Sequence, residues 1–196
     1  MLLAASVHST TDAQLRTATR RAGGLFVAAT VVMLRLERTL HATGGPGIIA
    51  FELAGSEHRA ASIMKSWGPK GIAAARASLW LDFGYMATYG VFSALLAEHA
   101  DRRFGKRRSG VPVFSWAQTA CAVAVAADAR EGVALLNVLR GWDPEAQVVS
   151  ARRAALTKFV LLFTVLLYWA SSFCRSEGRT CGRWSCEPRT PPRITT

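Results

Sequence analysis

Hydrophobic residues in this chain are grouped in long blocks rather than spread as regular stripes. The two clearest blocks, Ala77–Ala97 and Ala154–Phe173, run for about twenty residues with one charged residue each. Soluble domains instead show apolar residues with a period of 3.6 or 2. A helix of about twenty apolar residues crosses a hydrocarbon layer of about 30 Å, so the blocks predict transmembrane helices.

Two further blocks are weaker but fit the same interpretation. The first, residues 22–40, is interrupted by Arg35 and Arg38, whose long side chains can reach the membrane interface. The other, residues 111–133, ends among charged residues. Gly141–Pro144 is predicted to stop that helix, with Asp143 as N-cap and Pro144 as the first residue of a short separate turn before the last block. The sequence therefore predicts an all-α protein, a four-helix transmembrane bundle with spans at about 22–40, 77–97, 111–133 and 154–173.

The remaining segments complete the predicted domain organisation. Residues 1–21 are a polar N-terminal lead-in, residues 22–173 the transmembrane domain, and residues 174–196 a disordered cytoplasmic tail. In the first outer loop, glycine and proline breakers bound two short helices, Ile48–Ala54 and Ser56–Trp67. We expect these to be interfacial helices on the membrane surface or an ordinary ordered loop.

The net charge of +11 indicates how the chain is oriented in the membrane. Five basic residues lie within 102–108, and short basic loops stay in the cytoplasm. With four spans, both termini are then cytoplasmic, in a multi-pass protein of the cell membrane. The basic residues of the long loop 36–70 oppose this orientation. No aromatic-interleaved basic face or nucleic-acid motif is present, so the predicted partner is the lipid bilayer and not nucleic acid.

The cysteines add no metal or cofactor to the prediction. Cys121 lies inside a hydrophobic block and is expected to be a small core residue. Cys174, Cys181 and Cys186 lie in the tail at spacings that match no common zinc pattern. We expect a reduced cytoplasmic tail.

Several charged residues fall at membrane depth, in the same outer layer of the predicted bundle. Such charges are costly in hydrocarbon and normally face the bundle interior in pairs. The predicted intramembrane cluster consists of Asp82, Asp128, Glu131 and Lys158. The expected pair is Asp82–Lys158 or Asp128–Lys158.

Two further residues are possible members of this cluster. Arg130 is the other candidate cation. Glu52 stands alone in a short apolar helix. It is expected to face water, with a position toward Lys158 as the alternative.

Three functions remain open from the residues. The leading hypothesis is a non-enzymatic polytopic membrane protein whose buried charges are mainly structural. The alternative is a small transporter or channel-like protein that handles protons or a small polar solute through the charged layer. A lipid-modifying enzyme, with Asp128 and Glu131 as an acid–base pair, is the third. No convincing nucleophile–base arrangement is present, and His8, His41, His58 and His99 lie in loops or segment ends, where we expect them to be solvated.

A resemblance supports the four spans. The chain carries Phe51-Glu52-Leu53-Ala54, then Trp67-Gly68, Leu79-Trp80-Leu81-Asp82-Phe83 and Lys158-Phe159. These motifs, over about residues 44–169, resemble a family of uncharacterised bacterial four-span integral membrane proteins. In that family the third span has Asp, two residues, Glu and Asn, whereas Gly132 stands here in place of Asn and Arg130 adds a charge. The resemblance implies four spans and a possible polar unit, and it implies no activity.

Overall fold

A computed structural model of the chain describes residues 11–105 and 115–177, with side chains as far as Phe173. These residues form a helical bundle that contains no strand, which confirms the coarse prediction of an all-α protein. The predicted tail, except for residues 174–177, and the predicted beginning of the third span lie outside the described residues. The helices are α1 (Asp12–Ala42), α2 (Ile48–Glu52), α3 (Glu57–Arg103), α4 (Trp116–Arg140) and α5 (Pro144–Glu177).

Helix α1 begins well before the first hydrophobic block, at a capping box. The Thr11 side chain accepts a hydrogen bond from the Gln14 backbone N–H at 3.3 Å, and Gln14 Oε1 accepts one from the Thr11 N–H at 2.8 Å. This reciprocal pair satisfies amide groups that a helix start otherwise leaves open. Residues 12–21, predicted as a polar lead-in, are therefore the first turns of the helix.

Helix α3 joins a predicted short helix to the second predicted span across a kink. Its first arm begins at the predicted cap Ser56, whose Oγ accepts the Arg59 N–H at 3.4 Å. At Gly68 the backbone has φ 60° and ψ −171°, a conformation open essentially to glycine alone, and Pro69 follows without an N–H to donate. The predicted breaker Gly68-Pro69 bends the chain, and the helix resumes immediately after it.

Helices α4 and α5 form an antiparallel hairpin. Gly141 ends α4 in the left-handed conformation with φ 74°. Helix α5 then runs without interruption from Pro144, so the short separate turn predicted before the last span is wrong. In the same way, the predicted helix Ile48–Ala54 is shorter and ends at Glu52.

Helix α3 is the centre of the bundle, packing against α1, α4 and α5, while α2 lies against α3 and α5. Phe51 of α2 is fully buried, and its ring centroid lies 5.1 Å from that of Trp67. The Trp67 Nε1–H donates to the Pro46 carbonyl at 2.6 Å. These contacts hold α2 inside the bundle end and thereby fix the position of Glu52.

Among the described helices, one, Pro144–Phe173, is long and apolar enough to cross a membrane, with a mean hydropathy of 1.7. Only 22% of this apolar stretch is buried in the bundle, whereas the core helix of a soluble protein is mostly buried. The described residues thus contain one candidate span, and the finer prediction of four spans stays a prediction.

Candidate functional site

A buried lysine on α5 faces three carboxyl groups that come from two other helices. Lys158 Nζ lies 2.7 Å from Asp128 Oδ1, 2.8 Å from Glu131 Oε2 and 3.9 Å from Glu52 Oε2. Its side chain is 9% exposed. With Tyr89, which contacts Asp128, these residues are called the Lys158 cluster below.

The positions on α4 follow from helix geometry. Residues three apart project from one face of a helix, so Asp128 and Glu131 point together into the bundle. Gly132 follows, and a Cβ at this position would lie 3.3 Å from Phe83 Cζ. The phenyl ring of Phe83 therefore packs over the glycine, at the position where the resembling family has an asparagine.

Asp128 accepts two short hydrogen bonds. The Tyr89 hydroxyl donates to Oδ2 at 2.6 Å, and Lys158 Nζ donates to Oδ1 at 2.7 Å. Asp128 is thus the carboxylate that balances the ammonium group of Lys158.

Glu52 and Glu131 form a carboxyl pair beside this ion pair. Both face Lys158, with Glu131 Oε2 at 2.8 Å and Glu52 Oε2 at 3.9 Å from Nζ. Burial raises the pKa of Glu52, and the nearby charge of Lys158 opposes that shift. Glu131 Oε2 faces Lys158 Nζ outside hydrogen-bond geometry and is a buried oxygen without a hydrogen bond among the described residues.

Some of the predicted site residues belong to the Lys158 cluster, and others do not. Asp128, Glu131 and Lys158 come together, and Glu52 joins them with a side chain that is 12% exposed, so the expectation that it faces water is wrong. Asp82 is half-buried nearby and interacts with the cluster through its charge, without an ion pair to any described residue.

Arg130 is the predicted candidate that the structure excludes from the cluster. Its side chain is exposed, and its Nε–H donates to Ser150 Oγ at 3.3 Å. The reason is the helical phase, since residue 130 is two positions from Asp128 and projects from a different face of α4.

A second polar cluster, missed from the sequence, lies at the other end of the bundle. Glu98 is fully buried, and its carboxylate accepts from Arg102 Nε at 2.7 Å and from Gln118 Nε2 at 3.2 Å. Arg102 also donates to Asp12 at 2.6 Å, and this hydrogen bond lowers the pKa of the Asp12 carboxyl. The sequence signal was present, because Glu98 and Arg102 are four residues apart on one helix face.

The remaining candidates take no part in the Lys158 cluster. His99 is partly buried, and its Nε2 lies 3.0 Å from Thr19 Oγ1, so it is not the fully solvated side chain expected from the sequence. Cys121 is a buried free thiol, and the cysteines of the tail lie outside the described side chains. No group of three or more His, Cys, Asp or Glu side chains suited to a metal ion occurs in residues 11–105 and 115–173.

Comparison with protein families, with curated proteins and with solved structures finds no match to this chain. The resemblance to the four-span bacterial family therefore stays a prediction from the quoted motifs.

Proposed function

We propose that this chain is an integral membrane protein with four spans and both termini in the cytoplasm. The support is a surface covered with large apolar side chains that the bundle leaves exposed. Large exposed apolar surfaces mark sites of contact with a membrane or with another protein. Side chains at least 45% exposed include Leu25, Val27, Val31, Leu34, Trp80, Leu81, Val91, Val123, Val133, Leu156, Val160, Phe163 and Leu167.

Charge-free stretches on three of the helices support the same proposal. The stretches Ala22–Leu34 on α1, Phe83–Ala97 on α3 and Phe159–Phe173 on α5 contain no charged residue. Each is roughly 20 Å long at 1.5 Å per residue. The exposed Trp116, at the start of α4, fits the aromatic belts found at membrane interfaces.

Charges lower the apolar character of α4, and their placement explains why a membrane remains compatible with this helix. Asp128 and Glu131 are each 2% exposed and point into the bundle, away from the outer surface. An inward charge with a partner is the usual arrangement of ionisable residues at membrane depth. Average hydropathy along α4 therefore understates how apolar its outer face is.

Cysteine-accessibility mapping in intact cells tests the topology. Single cysteines at Ser56, Glu145, Gly105 and Thr11, all exposed positions, are introduced into a chain whose native cysteines are replaced. Four spans predict labelling from outside at Ser56 and Glu145, with Gly105 and Thr11 protected until the membrane is opened. Recovery of the protein in the soluble fraction, or labelling at Gly105 in intact cells, would contradict the proposal.

We infer further that the Lys158 cluster handles protons, as expected of a small transporter or channel-like protein. One observation carries this inference: a single buried ammonium group faces three carboxyl groups, Glu52, Asp128 and Glu131. Three ionised carboxylates would leave an uncompensated buried charge, which is strongly unfavourable. A neutral cluster therefore holds exchangeable protons on the carboxyl groups that Lys158 does not balance.

The alternative is that the buried charges are structural and that the Asp128–Lys158 pair serves only to connect α4 to α5. A purely structural pair needs one carboxylate, so the two additional glutamates favour the proton-handling function.

Proton flux into proteoliposomes separates these functions. The wild type, loaded with a pH-sensitive dye and given an acid pulse, is expected to acidify the lumen faster than empty vesicles. Glu131→Gln and Glu52→Gln keep the shape of the side chain and are expected to reduce the flux while the protein remains folded. Glu57→Gln changes an exposed acid outside the cluster and is the matched control. Equal proton flux in all variants and in empty vesicles would mean that the cluster has only a structural role.

A further inference from the structure

A groove on the outer surface of the α4–α5 hairpin lies apart from the Lys158 cluster. Its volume is about 1040 Å³, at the upper end of the range of small-molecule sites. Val123, Ala126 and Ala127 of α4 line its apolar part, together with Ala154 and Thr157 of α5. The groove is therefore large enough for a molecule with an elongated apolar portion.

Cationic and acidic side chains line the groove in separate layers. Arg130 and Arg153 follow the apolar part, and the hydrogen bond from Arg130 to Ser150 places that guanidinium group at the level of residue 150. Asp143 and Glu145 line the outermost part, at the turn between the helices. Glu145 lies five residues beyond Ser150, roughly 7.5 Å farther out along α5.

None of these four charged side chains forms an ion pair with another described residue. All are exposed, so they are open to a ligand in the groove. Guanidinium groups suit phosphate oxygens, and carboxylates suit an ammonium group. The order from the inside of the groove outward is apolar surface, then cations, then anions.

From this order we infer that the groove binds a phospholipid with a primary amine in its headgroup, such as phosphatidylethanolamine. The acyl chain lies along the alanine and valine surface, the phosphate contacts Arg130 and Arg153, and the ammonium group faces Asp143 and Glu145. An anionic lipid without an amine would place its headgroup beside two carboxylates and is disfavoured there. The inference rests on the proposed membrane location and does not depend on proton handling.

Native mass spectrometry of the full-length protein tests this binding. The protein is purified from nanodiscs that contain equal amounts of phosphatidylethanolamine and phosphatidylglycerol, and retained lipids are counted. The wild type is expected to retain phosphatidylethanolamine in preference to phosphatidylglycerol. The double variant Arg130→Gln/Arg153→Gln is expected to retain at least about tenfold less of both lipids, since each arginine lost removes a hydrogen bond to a charged group.

Substitution of the acidic pair distinguishes recognition of the amine headgroup from lipid binding in general. Asp143→Asn/Glu145→Gln is expected to retain lipid but to lose the preference for the amine headgroup. Arg59→Gln, which changes an exposed arginine outside the groove, is the matched control and should behave as the wild type. Equal retention of the two lipids by the wild type, or unchanged retention in the arginine double variant, would overturn the inference. A protein that fails to enter nanodiscs and stays soluble would instead contradict the membrane location itself.

Discussion

Lys158 and Asp128 form a buried ion pair across the α4–α5 hairpin, with Nζ 2.7 Å from Oδ1. The lysine side chain is 9% exposed and the aspartate side chain 3%. Partners within one hairpin hold the two helices in a defined register. The same lysine reaches Glu131 and Glu52, so its removal affects more than one contact.

Lys158→Met is expected to reduce stability strongly. The substitution leaves buried carboxylates without a cation, and breaking a buried pair in this way costs about 3–5 kcal/mol. Unfolding of the purified protein in detergent measures the loss. Lys70→Met, at an exposed lysine, should change stability by less than about 0.5 kcal/mol. Similar stability in the two variants would mean that the Lys158 contacts contribute little.

Tyr89→Phe is expected to cost more than Tyr85→Phe. The Tyr89 hydroxyl donates to the Asp128 carboxylate at 2.6 Å, whereas the Tyr85 hydroxyl lies 3.2 Å from the neutral Thr30 Oγ1. Hydrogen bonds to charged groups contribute about 1.5–3 kcal/mol and neutral ones about 0.5–1.5 kcal/mol. Thermal unfolding of the two variants under identical conditions makes the comparison, and a larger loss from Tyr85→Phe would contradict the assignment.

Glu52→Gln is expected to flatten the pH dependence of stability. Burial raises the pKa of Glu52 above its ordinary value of 4.5, so the folded protein binds this proton more tightly than the unfolded chain. The resulting stabilisation is complete below the unfolded pKa of about 4.3 and is lost as the pH rises through the higher folded value.

The measurement is the melting temperature across a pH series for the wild type and the variant. The wild type should lose stability toward high pH relative to Glu52→Gln, which imitates the protonated acid. Glu57→Gln, an exposed acid, should keep the wild-type profile. A constant difference between wild type and Glu52→Gln at every pH would show that the proton on Glu52 does not contribute.

Gly68→Ala is expected to destabilise the fold by about 1–3 kcal/mol, because φ 60° with ψ −171° strains any residue that has a Cβ. Gly84→Ala is the matched control on the same helix. Gly84 has no positive φ, and an added Cβ there meets nothing within 4 Å. That substitution should be neutral or stabilising by up to about 1 kcal/mol. Equal effects in chemical denaturation would argue against strain at the kink.

The sequence predicted the helices through their apolar blocks but misplaced their ends. The capping residues Thr11 and Gln14 were a readable signal for the start of α1, yet the polar character of the following turns obscured it. The continuous helix from Pro144 was missed because charged residues in its first turns resemble a loop. Helix ends depend on local backbone hydrogen bonds, which hydropathy does not measure.

The candidate site was only partly predictable, for a similar reason. Asp128, Glu131 and Lys158 stood out because each interrupts an apolar block. Glu52 was expected to face water, because its inward position depends on the packing of Phe51 against Trp67, a contact between distant parts of the chain. Tyr89 left a weaker signal, since it lies seven residues after Asp82 and so on the same face of α3.

The hairpin of α4 and α5 has a consequence for biogenesis. Lys158 is only thirty residues from Asp128 in the chain. Both partners of the central ion pair therefore emerge from the ribosome close together, after the segments that supply Glu52 and Tyr89. In the proposed membrane location, a hairpin that enters the bilayer as one unit carries its ammonium group and its carboxylate as a neutralised pair. Two isolated charges then need not be transferred into the bilayer separately. Helices α4 and α5 can pack around Glu52, which is already in place.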